Sequence, residues 1–169
     1  MNAFHLLSQR LQSLNLIREI EALMSEDEGL LLELMKDQLY AGLDGDGNPL
    51  RPTYQDDPYF KKFKNPQAAA QAYSDWKDGM MQRTHNTLFA KRPSGTPNLI
   101  ITGSWFYDTL VAYAGNDSLI INAQSPIINE LEGKYGDALL KLSPLALKFY
   151  TEEHLFERLQ KRVYDQLSR

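Results

Sequence analysis

Apolar residues recur at helical spacing through the N-terminal third of the chain. Leu16, Ile20 and Leu23 fall at i, i+4 and i+7, on one face, while Arg18, Glu19 and Glu21 point elsewhere. Phe4, Leu7, Leu11 and Leu14 extend a similar stripe backwards, with a break expected between Ser13 and Asn15. Ser25 followed three residues later by Glu28 has the form of a capping box, and Glu26 and Asp27 suit the positive end of a helix. A second helix is therefore expected from there to Tyr40, with Gly42 just past its end.

The pattern then breaks. LDGDGNPLRPTY packs small, acidic and proline residues too densely for a helix and predicts tight turns. Helical composition returns from Pro66 to about Lys77, where proline suits the first turn and QAAAQAYSDWK follows. RPSGTPN reads as a loop. Beyond it the period changes to that of strands. LVAYA and SLIINA flank Gly115-Asn116-Asp117, which predicts an antiparallel hairpin. Leu99 to Thr102 reads either as a third strand or as the run-in to a short helix at Ser104 to Asp108. At the C-terminus Ser143-Pro144 gives an N-cap and a first-turn proline, and Phe156, Leu159, Val163 and Leu167 make an amphipathic stripe, with a break expected near Thr151.

These elements predict one α+β domain over residues 1–169: N-terminal helices (1–41), a turn-rich insert with one helix (42–97), a hairpin region (98–124) and a C-terminal helical region (125–169). N-terminal helices and a C-terminal amphipathic helix are expected to pack on a small antiparallel sheet. Ile20, Leu34, Ile121, Phe156 and Val163 are the expected core positions.

Composition narrows the functional classes. At 169 residues the chain buries roughly two-thirds of its unfolded surface, enough for a core. The apolar fraction of 43% and charged fraction of 24% are those of globular proteins and argue against disorder. No apolar run reaches the ~18 residues of a membrane span, and the polar residues among the first leucines are unlike a secretory signal. There is no cysteine, which excludes disulfides, thiolate catalysis and sulfur-ligated metals. A net charge of −4 disfavours general DNA binding, since only a local patch could displace counterions.

Each chemical signal has a plain alternative. Asp44, Asp46 and Asn48 alternate like the first ligands of a calcium loop, but Pro49 stands where that loop needs glycine and Gln55 where it needs glutamate. A turn is expected, with no metal. His5, His85 and His154 lack the spacing of a zinc helix. Gly103-Ser104-Trp105 lacks the second glycine of a nucleophile elbow, and no lysine–serine pair follows Gly42, Gly45 and Gly47. No cofactor and no catalytic residue is expected. Tyr59-Phe60-Lys61-Lys62-Phe63-Lys64 interleaves aromatics with cations, as single-stranded nucleic-acid sites do, or forms a loop whose aromatics plug the core. Trp105, Phe106 and Tyr107 are consecutive, and no regular element buries three adjacent side chains on one face. They are the candidate protein interface.

Thr102-Gly103-Ser104-Trp105-Phe106-Tyr107-Asp108-Thr109-Leu110, followed by the hairpin, resembles the T-G-x-L-x-x-S-[IL] signature of tailed-bacteriophage tail-completion and neck proteins. Upstream, Gly42 to Tyr54 is similar to that family's G-x-D-x-x-G-x-P-[WL]-x-P-L stretch, and Tyr135-Gly136 and a terminal helix keep its order. Phe106 stands for the family's leucine, one residue further from Thr102-Gly103 than the signature places it, and Glu130-Leu131-Glu132-Gly133 stands where the family often has E-F-G. The resemblance covers residues 35–168. It implies an α+β, non-enzymatic structural subunit of phage or prophage origin, working in a ring at the head–tail junction or tail end. Its partners would be copies of itself and neighbouring portal, connector or tail proteins, first in the host cytoplasm and then in the virion. A nucleic-acid-binding accessory protein using Tyr59 to Lys64 is the alternative, and an uncharacterised enzyme the third.

Overall fold

A computed structural model describes residues 15–80, 88–100, 105–115 and 118–168. The expected Phe4 to Leu14 stripe, His5, His85, Thr102 to Ser104 and the hairpin tip at Asn116 and Asp117 lie outside them. The fold is α+β, as the change of period predicts. No described helix is long and apolar enough to cross a membrane.

Helix α1 (Leu16–Glu26) starts at the expected break, where the Asn15 side chain accepts the N–H of Arg18 at 3.2 Å. Helix α2 (Glu28–Tyr40) follows after one residue. The joint falls at Asp27, so Ser25 closes α1 instead of capping α2, and its hydroxyl lies 3.5 Å from the Glu28 carboxylate. The Asp27 carboxylate makes no cap because it accepts from Tyr150 Oη, at 3.1 Å, and from Arg158.

Helix α2 is the central element. Leu31, Leu34, Met35, Gln38 and Leu39 are all buried, at i, i+3, i+4, i+7 and i+8. Gln38 is a polar residue in this apolar row, and its side chain is fully used. Its Nε2 donates to the carbonyls of Asp44 (3.1 Å) and Lys141 (2.8 Å), and its Oε1 accepts from Ser143 N (2.7 Å). The turn after α2 is thereby fastened to the start of the last helical segment. At Gly42 the backbone has φ +73, and at Gly45 an added Cβ would lie 2.4 Å from Lys141 Cβ and 2.6 Å from the Ala138 carbonyl. Both positions need glycine, one for conformation and one for close approach.

Helix α3 (Pro66–Gly79) is capped by Asn65 and begins with proline. Strands β1 (Leu110–Gly115) and β2 (Ser118–Ala123) form the expected antiparallel hairpin, in register from Leu110↔Ala123 to Gly115↔Ser118. Leu99 and Ile100 are buried but not a third strand: Leu99 has φ +53, and Ile100 N donates to the Asn98 side chain. A 3-10 turn at Tyr107–Thr109 leads into β1. The inner face of the hairpin packs on α1 and α2.

Helix α4 (Ile128–Tyr135) starts after Ser125-Pro126 and ends at Gly136 with φ +93. Helix α5 (Pro144–Tyr150) has the expected Ser143 cap. The break near Thr151 is a wide π turn over Thr151–Leu155, where the Thr151 hydroxyl lies 2.9 and 3.0 Å from the carbonyls of Leu147 and Lys148. Helix α6 (Phe156–Ser168) then returns along α1. Arg158 reaches Glu26 (2.7 Å) and Asp27, Arg162 reaches Glu26 and Glu19 (3.3 Å), and Gln166 reaches Glu19 (2.7 Å).

The expected core is only partly realised. Leu34 is buried, Ile20, Ile121 and Val163 are half-buried, and Phe156 is 60% exposed. The π turn is the reason for the last: it sets Leu155 against the core and turns Phe156 out to solvent.

Candidate functional site

The three consecutive aromatics separate. The turn before β1 folds Phe106 and Tyr107 into the main core, 0% and 2% exposed, and leaves Trp105 42% exposed. Phe106 and Tyr107 are therefore packing residues, and of the expected interface Trp105 alone faces outward. Tyr107 is tied in further by its hydroxyl, which donates to the Asn98 carbonyl.

An outward apolar pair lies on the hairpin. Leu110, Ala112 and Ala114 pair with Ala123, Ile121 and Leu119 on the inner face. On the outer face Tyr113 is opposite Ile120, and the two are 55% and 56% exposed. Among the described residues no further strand pairs the outer edge of either strand.

The basic-aromatic segment is a 3-10 turn over Pro58–Lys62, capped by Asp57, whose carboxylate accepts from Tyr59 N at 3.0 Å. Phe60 is buried in a small cluster with Tyr54 and Ala70, against Tyr73, so it is not free to stack on a base. Tyr59 and Phe63 remain exposed, 5.8 Å apart between ring centres, and Lys62 Nζ sits 3.5 Å over the Tyr59 ring. Lys61 and Lys64 are exposed. The segment is both a plug and a surface: one ring anchors it while the lysines stay in water.

That plug forms one wall of a cleft of about 790 Å³. Tyr54 and Pro52 come from the turn-rich insert, Tyr73 and Lys77 from α3, and Leu131, Lys134 and Tyr135 from α4. Tyr73 is the hub of the aromatic wall, with ring centres of Tyr54, Phe60 and Trp76 at 5.2, 5.5 and 5.3 Å. Asp57 and Lys134, both lining residues, form an ion pair. Asn98 braces the cleft from behind. Its N–H donates to Tyr54 Oη and its Nδ2 to the Lys77 carbonyl, each at 3.4 Å.

The electrostatics follow from burial. Desolvation raises the Tyr54 hydroxyl to about 12 and also raises those of Tyr73 and Tyr135, so all three stay neutral at physiological pH. Lys77 is 4% exposed, and burial lowers its ammonium to about 8. Asp78, next in the chain, is held by Arg92.

Tyr54, Tyr73, Lys77 and Tyr135 escape sequence reading. Tyr73 and Lys77 are visible as an i, i+4 pair on a helix, but nothing local joins them to Tyr54 or Tyr135. The Asp44 loop has a plainer structure: Asp44 Oδ1 accepts the N–H groups of Asp46 (2.9 Å) and Asn48 (2.8 Å), an Asx turn. His154 packs edge-on against Phe149, 5.3 Å between ring centres. No family model, curated protein or solved structure matches this chain.

Proposed function

We propose that this chain is a structural subunit of a larger protein assembly, a head–tail junction or tail-completion ring of phage or prophage origin. The observation that carries an assembly role is the outer face of the hairpin. Tyr113 and Ile120, paired across the strands, are both more than half exposed, on a two-stranded sheet whose edges no other strand among the described residues pairs. Apolar side chains on an open-edged sheet invite a protein partner, and Trp105, just before the hairpin, adds a third large apolar group to the same region of sequence. The resemblance of Gly42 to Tyr54 and Thr102 to Leu110 to the tail-completion and neck signature supports the phage setting.

In this reading the subunits meet head to tail around a ring, so the hairpin of one copy contacts a different surface of the next. The partners are other copies and the adjoining portal, connector or tail proteins. Assembly takes place in the host cytoplasm and ends in the virion. The chain acts by binding, not by catalysis. The test is incorporation into particles, or into a reconstitution with neighbouring tail proteins. Wild-type protein that never incorporates overturns the phage setting.

A further inference from the structure

We propose that the tyrosine-lined cleft is a binding site for an organic carboxylate, with the Lys77 ammonium as the counter-charge and the aromatic wall holding the apolar body of the ligand. This site is separate from the hairpin face, and it stands whether or not the chain assembles.

The argument rests on what surrounds Lys77. Among the described residues its amino group has no hydrogen-bond or ion-pair partner. Its neighbours are rings, with the centres of Tyr73 and Trp76 at 5.8 and 5.7 Å from Nζ. The acidic groups around the cleft are paired with other cations or, for the lining residue Glu130, exposed to water. Asp57 is paired with Lys134, Asp78 with Arg92, and Glu130 lies out in solvent. The tyrosines cannot balance the charge, because burial keeps them protonated.

A lysine that is 4% exposed and unpaired is costly to keep, and a methionine would fill the same space without that cost. The cleft it lines has room for a small organic molecule. An anion there would gain a charge-assisted hydrogen bond in a poorly solvated setting. The flat, apolar walls of Tyr54, Tyr73, Leu131 and Tyr135 favour an anion with an apolar body over a bare inorganic ion. A carboxylate of this kind is supplied either by a free acid or by the C-terminus of a peptide chain.

The test compares acids with their neutral amides by calorimetric titration of the full chain. Benzoate and benzamide represent the free acid, and N-acetylphenylalanine and its amide represent a chain terminus. At least one acid is expected to bind about 10-fold or more tighter than its amide, a difference of about 1.4 kcal/mol. Lys77→Met is expected to erase that preference. Benzoate binding alone assigns a free acid, and N-acetylphenylalanine binding alone assigns a chain terminus. Equal affinity of acid and amide, a preference that survives in Lys77→Met, or no binding by any of the four probes overturns the proposal. The acid–amide comparison on the wild type decides the matter even if the variant folds poorly.

Discussion

Gln38 and Ser143 stand 105 residues apart in the chain and share a 2.7 Å hydrogen bond, the Ser143 N–H donating to the buried Gln38 side-chain oxygen. The same side chain holds two carbonyls through its amide nitrogen, so one residue joins the central helix, the glycine-rich turn and the cap of α5. Its removal leaves one buried N–H and two part-buried carbonyls without that partner. Gln38→Leu should therefore destabilise the fold by roughly 2–5 kcal/mol, although leucine suits the apolar row around it. Gln38→Glu keeps the acceptor and loses the donor, and should be harmful too. Urea unfolding should show a lower midpoint for both. A leucine variant as stable as wild type would mean that water takes over all three bonds.

Phe156 looks like a core residue in the sequence and is a surface residue in the fold. Phe156→Ala should cost less than about 1 kcal/mol, because most of the ring is already in water. Leu34→Ala, at 2% exposure, should cost ~2–5 kcal/mol by leaving a cavity beneath α2. Thermal or urea unfolding of the two variants side by side checks the ordering, and a larger loss at Phe156 would contradict the placement of α6.

The difference between these two residues marks how far the chain could be read. Three local signals hold: Pro66 opens α3, Ser143 caps α5, and the hairpin forms between LVAYA and SLIINA. The Ser25–Glu28 box does not, because α1 runs through Ser25 and the joint falls at Asp27. A π turn is not local in that sense. It depends on how α5 and α6 pack, and it changes which side chain meets the core. Helix α4 lies inside the expected helical region of 125–169, but its bounds were illegible because its N-cap is Ile127, with no side-chain acceptor, and glycine interrupts its short run. The adjacent aromatics from Trp105 to Tyr107 could not all lie on one face, and the turn after them resolves the conflict by burying two. The cleft was illegible for another reason. Its four key side chains come from three separate segments, and only tertiary packing brings them together.

Stability should rise with pH across the range in which Lys77 titrates. Burial lowers the folded-state pKa of this lysine to about 8, against 10.5 in the unfolded chain. Below pH 8 both states hold the proton; between 8 and 10.5 the unfolded state holds more, so alkalinity favours the folded form. Tyr54 acts in the opposite sense above pH 10, because its folded pKa of about 12 exceeds the unfolded value of 10.0. The rise should therefore be cleanest between pH 8 and 10. Lys77→Met should flatten it and should make the protein about 1–3 kcal/mol more stable at neutral pH. Urea midpoints measured across this range for both proteins check the point, and an unchanged slope in the variant would assign the effect to other groups.

The assembly reading predicts that charge on the exposed apolar surface blocks incorporation without unfolding the subunit. Trp105 is 42% exposed, so Trp105→Glu places a carboxylate in water in the free subunit but in a dry contact in the ring. Tyr113→Glu does the same at the centre of the outer hairpin face, opposite Ile120. Phe106→Glu is the contrasting variant. Its side chain is in the core at 0% exposure, so the charge should unfold the monomer before assembly is reached. Circular dichroism should then separate the variants, with native spectra for Trp105→Glu and Tyr113→Glu and a lost or weakened one for Phe106→Glu. Incorporation into particles should fail for all three. If Trp105→Glu is folded and incorporates like wild type while Tyr113→Glu does not, the contact lies on the hairpin alone. If both folded variants incorporate at wild-type level, neither surface is the interface, and the assembly reading loses the observation that carries it.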